Sequence, residues 1–237
     1  PAGPSGPAAA ELPRLGKYRL IREVGRGGMG TVYEAEDAEL RRKVAVKLIR
    51  EQHLNPSISR RLRREAAIVA QLRHPNIIAV HDSGSYSDFL GEAVDYFVMD
   101  FVEGRSLAQL LQERKTPQNQ LVGILAQVAR AVHFAHDRGV VHRDIKPSNV
   151  LIDASAQPYL CDFGIAQTEL FETKLTGSLE LIGSPPYMAP EQVRGDNRRV
   201  DVRTDVYSLG ATLFEIVTGR PAFKDASLAS LFDKILT

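Results

Sequence analysis

Residues 142–149 read His142-Arg143-Asp144-Ile145-Lys146-Pro147-Ser148-Asn149, and Asp162-Phe163-Gly164 follows shortly after. These residue types suit the movement of a phosphoryl group. Asp144 could accept the proton of an attacking hydroxyl, and Lys146 could neutralise charge on the group in transit. Asn149 and Asp162 offer oxygen ligands of the kind Mg²⁺ prefers. Pro147 stops any helix there and favours a loop.

A second constellation lies nearer the N-terminus. Gly25-Arg26-Gly27-Gly28-Met29-Gly30-Thr31-Val32 spells G-x-G-x-x-G-x-V. Glycines let backbone approach phosphates closely. A plain glycine-rich hairpin turn would explain the same residues. A dinucleotide-binding fold would need this motif between a strand and a helix. Here strand-like sequence flanks it on both sides, which favours a hairpin lid over a nucleotide. Val44-Ala45-Val46-Lys47 follows, and Glu65 could supply a counter-charge for Lys47. Each of these two charges, taken alone, also reads as an ordinary solvated side chain.

Elements must position these groups. Alternation of apolar and polar residues predicts short strands over 18–21, 31–35 and 43–49, the last placing Val44 and Val46 opposite Lys43 and Lys47. A helix is expected over 60–72, ended by His74-Pro75, with strands over 77–80 and 96–99. Beyond Glu103-Gly104 the signal turns helical, over 107–111, 121–136 and 205–218, with two small β segments over 150–152 and 159–161. The nearly all-apolar run 205–218 predicts a helix buried on most sides. The fold class expected is therefore α+β: a small antiparallel β lobe with one helix over 18–99, a join over 100–104 suited to a cleft, and a larger, mainly helical lobe over 105–237. Residues 1–17, rich in Pro, Gly and Ala, are expected to be a flexible tail.

Composition narrows the function classes. The chain has 237 residues, 43% hydrophobic and 25% charged, which is ample for a packed core. A net charge of +1 argues against general nucleic-acid binding. One cysteine, Cys161, excludes a disulfide scaffold. No run of about 18 apolar residues predicts a membrane-spanning helix. The absence of an initiator Met suggests a piece of a longer protein.

With these motifs in place, the chain resembles the eukaryotic-type Ser/Thr protein kinases found in bacteria, over residues 18–223 and on through Ala189-Pro190-Glu191 and Asp205-Val206-Tyr207-Ser208-Leu209-Gly210. The resemblance implies a bilobal fold, ATP and Mg²⁺ (or Mn²⁺) as cofactors, and protein substrates. It implies that Lys47 holds the α- and β-phosphates while pairing with Glu65, that Asp162 and Asn149 bind the metal, and that Asp144 and Lys146 serve the substrate hydroxyl. The nucleotide would meet Val24, Gly25, Arg26, Gly27, Gly28, Met29 and Gly30. Val32, Ala45 and Leu151 would pack on the adenine, Met99 would stand beside its pocket, and Asp100 and Val102 would offer backbone groups. His142, Arg143, Phe163, Gly164, Glu191 and Asp205 would be structural, Asp205 steadying the catalytic-loop backbone. Lys146, two residues past Asp144, and 183–191 resemble the Ser/Thr rather than the Tyr version, with Ser184 where Thr is usual.

Regulation is also implied. Arg143 before Asp144 accompanies control by phosphorylation of the following loop in this family, and Thr168, Thr173, Thr176 and Ser178 are candidate sites, Thr176 and Ser178 first among them. A homodimer would allow phosphorylation in trans. Arg60, Arg61, Arg63 and Arg64 could dock the loop phosphates, or simply form a solvated face. The family pattern continues for several helices past Phe223, with an Arg that pairs Glu191, so part of the large lobe is expected to be missing. The expected location is the cytoplasm, or the cytosolic part of a membrane-anchored receptor. A pseudokinase that binds nucleotide without turnover is the alternative, although Lys47, Asp144, Asn149 and Asp162 are all present. A small-molecule kinase fits less well, because 183–191 looks protein-directed.

Overall fold

The computed structural model describes residues 14–27, 30–49, 64, 66–87, 93–163 and 185–237. The chain divides into two compact units, one taking residues up to 51 with 82–101, the other 52–81 with 102–237.

The first unit is an antiparallel sheet. Its strands are β1 (Arg14–Leu15), β2 (Tyr18–Gly27), β3 (Gly30–Asp37), β4 (Arg42–Ile49), β5 (Val80–Ser87) and β6 (Ala93–Asp100), in the order β1-β2-β3-β4-β6-β5. The period-2 alternation of β4 sends Val44 and Val46 into a cluster with Leu15, Tyr18, Leu20, Ala35 and Val98. Lys47 and Ala45 take the opposite face. Two expectations change here. Within the expected tail, Arg14–Leu15 form β1, with Leu15 buried and paired with Tyr18. The strand expected over 77–80 lies instead over Val80–Ser87, and Ile77 makes only an isolated bridge to Leu160. Asp82 is held in this sheet by the Tyr18 hydroxyl, which donates to its carboxylate at 2.7 Å.

The second unit is mainly helical. It holds β7 (Gly104–Ser106), α1 (Leu107–Glu113), α2 (Gln118–His136), β8 (Val150–Asp153), β9 (Pro158–Leu160), the short α3 (Pro190–Val193), α4 (Val202–Thr218) and α5 (Leu228–Leu236). Capping residues set the boundaries. Ser106 and Gln109 form a reciprocal capping box on α1, Asp201 caps α4, and Gly219 ends α4 in a left-handed conformation (φ 72°). Leu121, Ile124, Leu125, Val128, Ala131, Val132 and Ala135 give α2 one continuous apolar stripe. That stripe packs in a single core with Leu107, Ile145, Val150, Leu160 and Ile216. Val69, Leu72 and Ile77, which the sequence reading puts with the small lobe, join this same core.

α4 corrects a further expectation. Thr204, Asp205, Ser208, Ala211, Thr212 and Ile216 are buried, but Val206, Leu213, Phe214 and Val217 are exposed. Its inward face is largely polar, so an apolar composition alone misjudged which side turns inward.

Candidate active site

The loop between α2 and β8 is gripped from beneath by α4. Asp205, fully buried, accepts the His142 amide on Oδ2 and the Arg143 amide on Oδ1, both at 2.8 Å. His136, at the end of α2, lies 2.7 Å from Oδ2. Two consecutive peptides are thereby fixed by one charged acceptor, the stronger class of hydrogen bond. Arg143 sits at φ 68° and Asp162 at φ 59°, in the left-handed region uncommon for non-glycine residues. Such conformations persist where surrounding contacts over-determine them.

His142 is buried, and its ring closes the loop on itself. The Asp144 amide donates to Nδ1 at 3.2 Å, so Nε2 carries the proton and donates to the Cys161 carbonyl at 3.0 Å. The imidazole is therefore neutral in this arrangement. Burial pushes its pKa below the ordinary 6.5, against the opposing pull of Asp205 and Asp144. Phe163 packs against the ring at a centroid distance of 4.5 Å, the two planes tilted by 43°.

Above this base the chemical groups converge. Lys146 Nζ lies 2.8 Å from Asp144 Oδ2. Asn149 Nδ2 donates to the same oxygen at 3.0 Å and to the Asp144 carbonyl at 2.8 Å. The described contacts of the carboxylate thus fall on Oδ2, leaving Oδ1 able to face a hydroxyl. The Asn149 amide, with its nitrogen turned to Asp144, has Oδ1 left as an oxygen donor. The Cys161 amide donates to the Asn149 carbonyl at 3.0 Å, which brings Asp162 next to Asn149 along the backbone. Among the described residues no group of three His, Cys, Asp or Glu forms a metal cage.

The sheet unit assembles a different set. Val32 pairs with Lys47, and Ala45 pairs with Met99, so all four share the face turned away from the Val44–Val46 cluster. Asp100 pairs with Val44 at the strand end. Val24 falls in a register shift of β2, and Arg26 makes a bidentate pair with Glu23 at 2.9 and 2.6 Å. Gly25 and Gly27 have open space where a Cβ would stand, whereas at Gly30 (φ 151°) a Cβ would lie 1.9 Å from the Leu48 carbonyl oxygen. Val102 and Leu151 belong to the helical unit, Leu151 paired with Ser106 and Tyr159. Glu65, Gly28, Met29, Gly164, Thr168, Thr173, Thr176, Ser178, Ser184, Arg60, Arg61 and Arg63 lie outside the described residues. Arg64 is exposed on a helical turn.

Several contacts are not signalled in the sequence. Glu191 accepts the Thr204 hydroxyl at 2.5 Å, so it is partnered within this chain. Tyr187 donates to the Glu215 carboxylate, and Ser208 donates to the Tyr187 carbonyl at 2.8 Å. Gln192 donates to the Arg143 carbonyl at 2.7 Å. Gln192 had one local signal, its place three residues after Ala189 at a helix start; the partners of Tyr187 and Thr204 are too remote in sequence to leave any.

The match of site and scaffold extends to known proteins. The chain is 42% identical over 209 residues to the serine/threonine-protein kinase PknB of Mycobacterium leprae, covering 87% of this chain and 33% of that protein. It is 39% identical over 218 residues to the serine/threonine-protein kinase PrkC of Bacillus subtilis, covering 91% and 32%. A probable serine/threonine-protein kinase PknB of Lactococcus lactis is 40% identical over 218 residues, covering 91% and 34%. The chain spans about a third of the length of the curated relatives it matches. The protein kinase domain family matches residues 18–237. An antiparallel sheet unit, a mainly helical unit and a loop carrying Asp144, Lys146 and Asn149 accord with that match: the chain belongs to the protein kinase domain family.

Proposed function

We propose that this chain is the catalytic domain of a Ser/Thr protein kinase, transferring the γ-phosphoryl group of MgATP to Ser or Thr hydroxyls of proteins. The observation that carries the reading is the convergence of Lys146 Nζ and Asn149 Nδ2 on one oxygen of Asp144. The names of the similar bacterial proteins support it.

In this reading Asp144 orients the hydroxyl and takes its proton through Oδ1. Lys146 offsets the negative charge gathering on the phosphoryl oxygens. Asn149 Oδ1 and Asp162 would hold Mg²⁺, with Mn²⁺ as a substitute, which when bound would supply neutralisation of phosphate charge. Lys47 meets the nucleotide phosphates and Glu65 pairs with it. Gly25 and Gly27, where an added Cβ would meet nothing within 4 Å among the described residues, give backbone access to the phosphates. Positioning and electrostatics supply the acceleration, because the protein does little covalent chemistry.

Thr176 and Ser178 are the proposed autophosphorylation sites, modified in trans within a transient homodimer. Partners are proteins rather than nucleic acids, in keeping with a net charge of +1. Among the described residues no helix is long and apolar enough to cross a membrane. We place the domain in the cytoplasm, where ATP is available.

One assay tests the whole. Incubation with radiolabelled ATP, Mg²⁺ and a generic basic protein should label Ser and Thr of that protein, and mass spectrometry should find Thr176 or Ser178 modified. Asp144→Asn should lower turnover by about 10²–10⁴-fold, as expected for a lost proton acceptor, and Lys47→Met should abolish labelling. Near-normal turnover in either variant would refute the assigned roles, and an unmodified Thr176 and Ser178 would remove the regulatory reading.

A further inference from the structure

Gln192 lies on the four-residue helix α3, in the second unit, and is 7% exposed. Both ends of its carboxamide are bonded. Oε1 accepts the buried Ala189 amide at 3.0 Å, and Nε2 donates to the Arg143 carbonyl at 2.7 Å. That carbonyl and the Asp144 amide belong to a single peptide unit. The other end of the same unit is held by the Asp144 N–H to His142 Nδ1 bond at 3.2 Å.

Three consecutive peptides are therefore clamped: two by Asp205 and the third by His142 and Gln192 together. The third leads directly into Asp144. Rotation of the Arg143–Asp144 peptide changes ψ of Arg143 and φ of Asp144, the torsion that sets where the Asp144 Cβ stands relative to that peptide. Asp205 holds the Arg143 amide, and with it the φ of 68° at Arg143, but its bonds do not reach this next peptide.

The geometry points to Gln192 as a positioning residue for Asp144: it locks the Arg143–Asp144 peptide and ties it to the chain at Ala189. The inference rests on the reading of Asp144 as proton acceptor. It adds a link between the segment leading into α3 and the reacting carboxylate, through one side-chain amide. A buried amide with both ends satisfied is costly to leave half-paired, so the link is stiff in both directions.

Two substitutions in the 237-residue chain separate this role from simple helix capping. Gln192→Glu preserves volume and the acceptor for the Ala189 amide but puts an oxygen opposite the Arg143 carbonyl. Gln192→Met removes both bonds. Both variants should lose kcat by about tenfold to a hundredfold, the scale of an ångström-sized misplacement. KM for MgATP should stay within about twofold, because ground-state binding is untouched. Amide exchange should rise over 142–149 while the centre of α2 stays protected. Wild-type kcat in Gln192→Glu alongside a deficient Gln192→Met would assign Gln192 a capping role only and overturn the proposal, as would wild-type kcat in both. If Gln192→Met fails to fold, Gln192→Glu decides. If the wild type transfers no phosphoryl group, the functional reading fails instead, and the exchange measurement still decides the clamp: unchanged protection over 142–149 in Gln192→Glu would refute it.

Discussion

Asp205 has both carboxylate oxygens committed, to two backbone amides and to His136. Its cost of burial is met by charge-assisted bonds to donors that would otherwise be orphaned. Asp205→Asn keeps the shape but turns an NH₂ group toward an amide N–H, so one buried donor loses its acceptor. The expected loss is about 2–4 kcal/mol of stability, read as a lower urea midpoint, with turnover reduced as the loop loosens. An unchanged midpoint would mean that the bonds to the His142 and Arg143 amides do not hold the loop.

At the scale of elements, β2 and β3 join through the glycine-rich segment, and its glycines do different jobs. Gly30 is required by the fold, since a Cβ there would stand 1.9 Å from the Leu48 carbonyl of the neighbouring strand. Gly25 and Gly27 meet nothing within 4 Å. Gly30→Ala should cost about 2–4 kcal/mol through overpacking and backbone strain, seen as a lower melting temperature. Gly25→Ala should leave the melting temperature nearly unchanged and raise KM for MgATP instead. Equal stability of the two variants would contradict this division. The motif was legible in the sequence as a string of glycines, but which of them serves packing depends on the strand that pairs alongside.

For the whole molecule, the neutral buried His142 makes stability depend on pH. Burial is the larger cause holding its pKa below 6.5 in the folded state. The unfolded chain therefore binds more protons as pH falls through 6.5, and acidification favours unfolding. The contribution of His142 is fully present above that value. It declines downward at up to about 1.4 kcal/mol per pH unit, the limit for one proton, and levels off below the folded-state pKa. Asp153 and Asp201 are held below 3.8 mainly by hydrogen bonds from Ser155 and Arg203, and so lose their share only in more acid solution. Urea midpoints at pH 7.5 and pH 5.5 should differ in this sense. A flat profile between them would show that His142 is not neutral when folded.

The sequence by itself determined the chemistry on offer and most of the elements. Asp144, Lys146 and Asn149 lie within one short loop, so their convergence is a local matter, and the alternation of Val44, Val46 and Lys47 or the apolar stripe of α2 reports directly which side of an element is buried. Tertiary structure alone decided the rest. Asp205 meets His142 and Arg143, Glu191 meets Thr204, Tyr187 meets Glu215 and Gln192 meets Arg143 only because the helices pack. The polar inward face of α4 ran against its composition for the same reason. Buried polar groups are chosen by the donors and acceptors that packing brings to them, and no local pattern in the chain records who those partners will be.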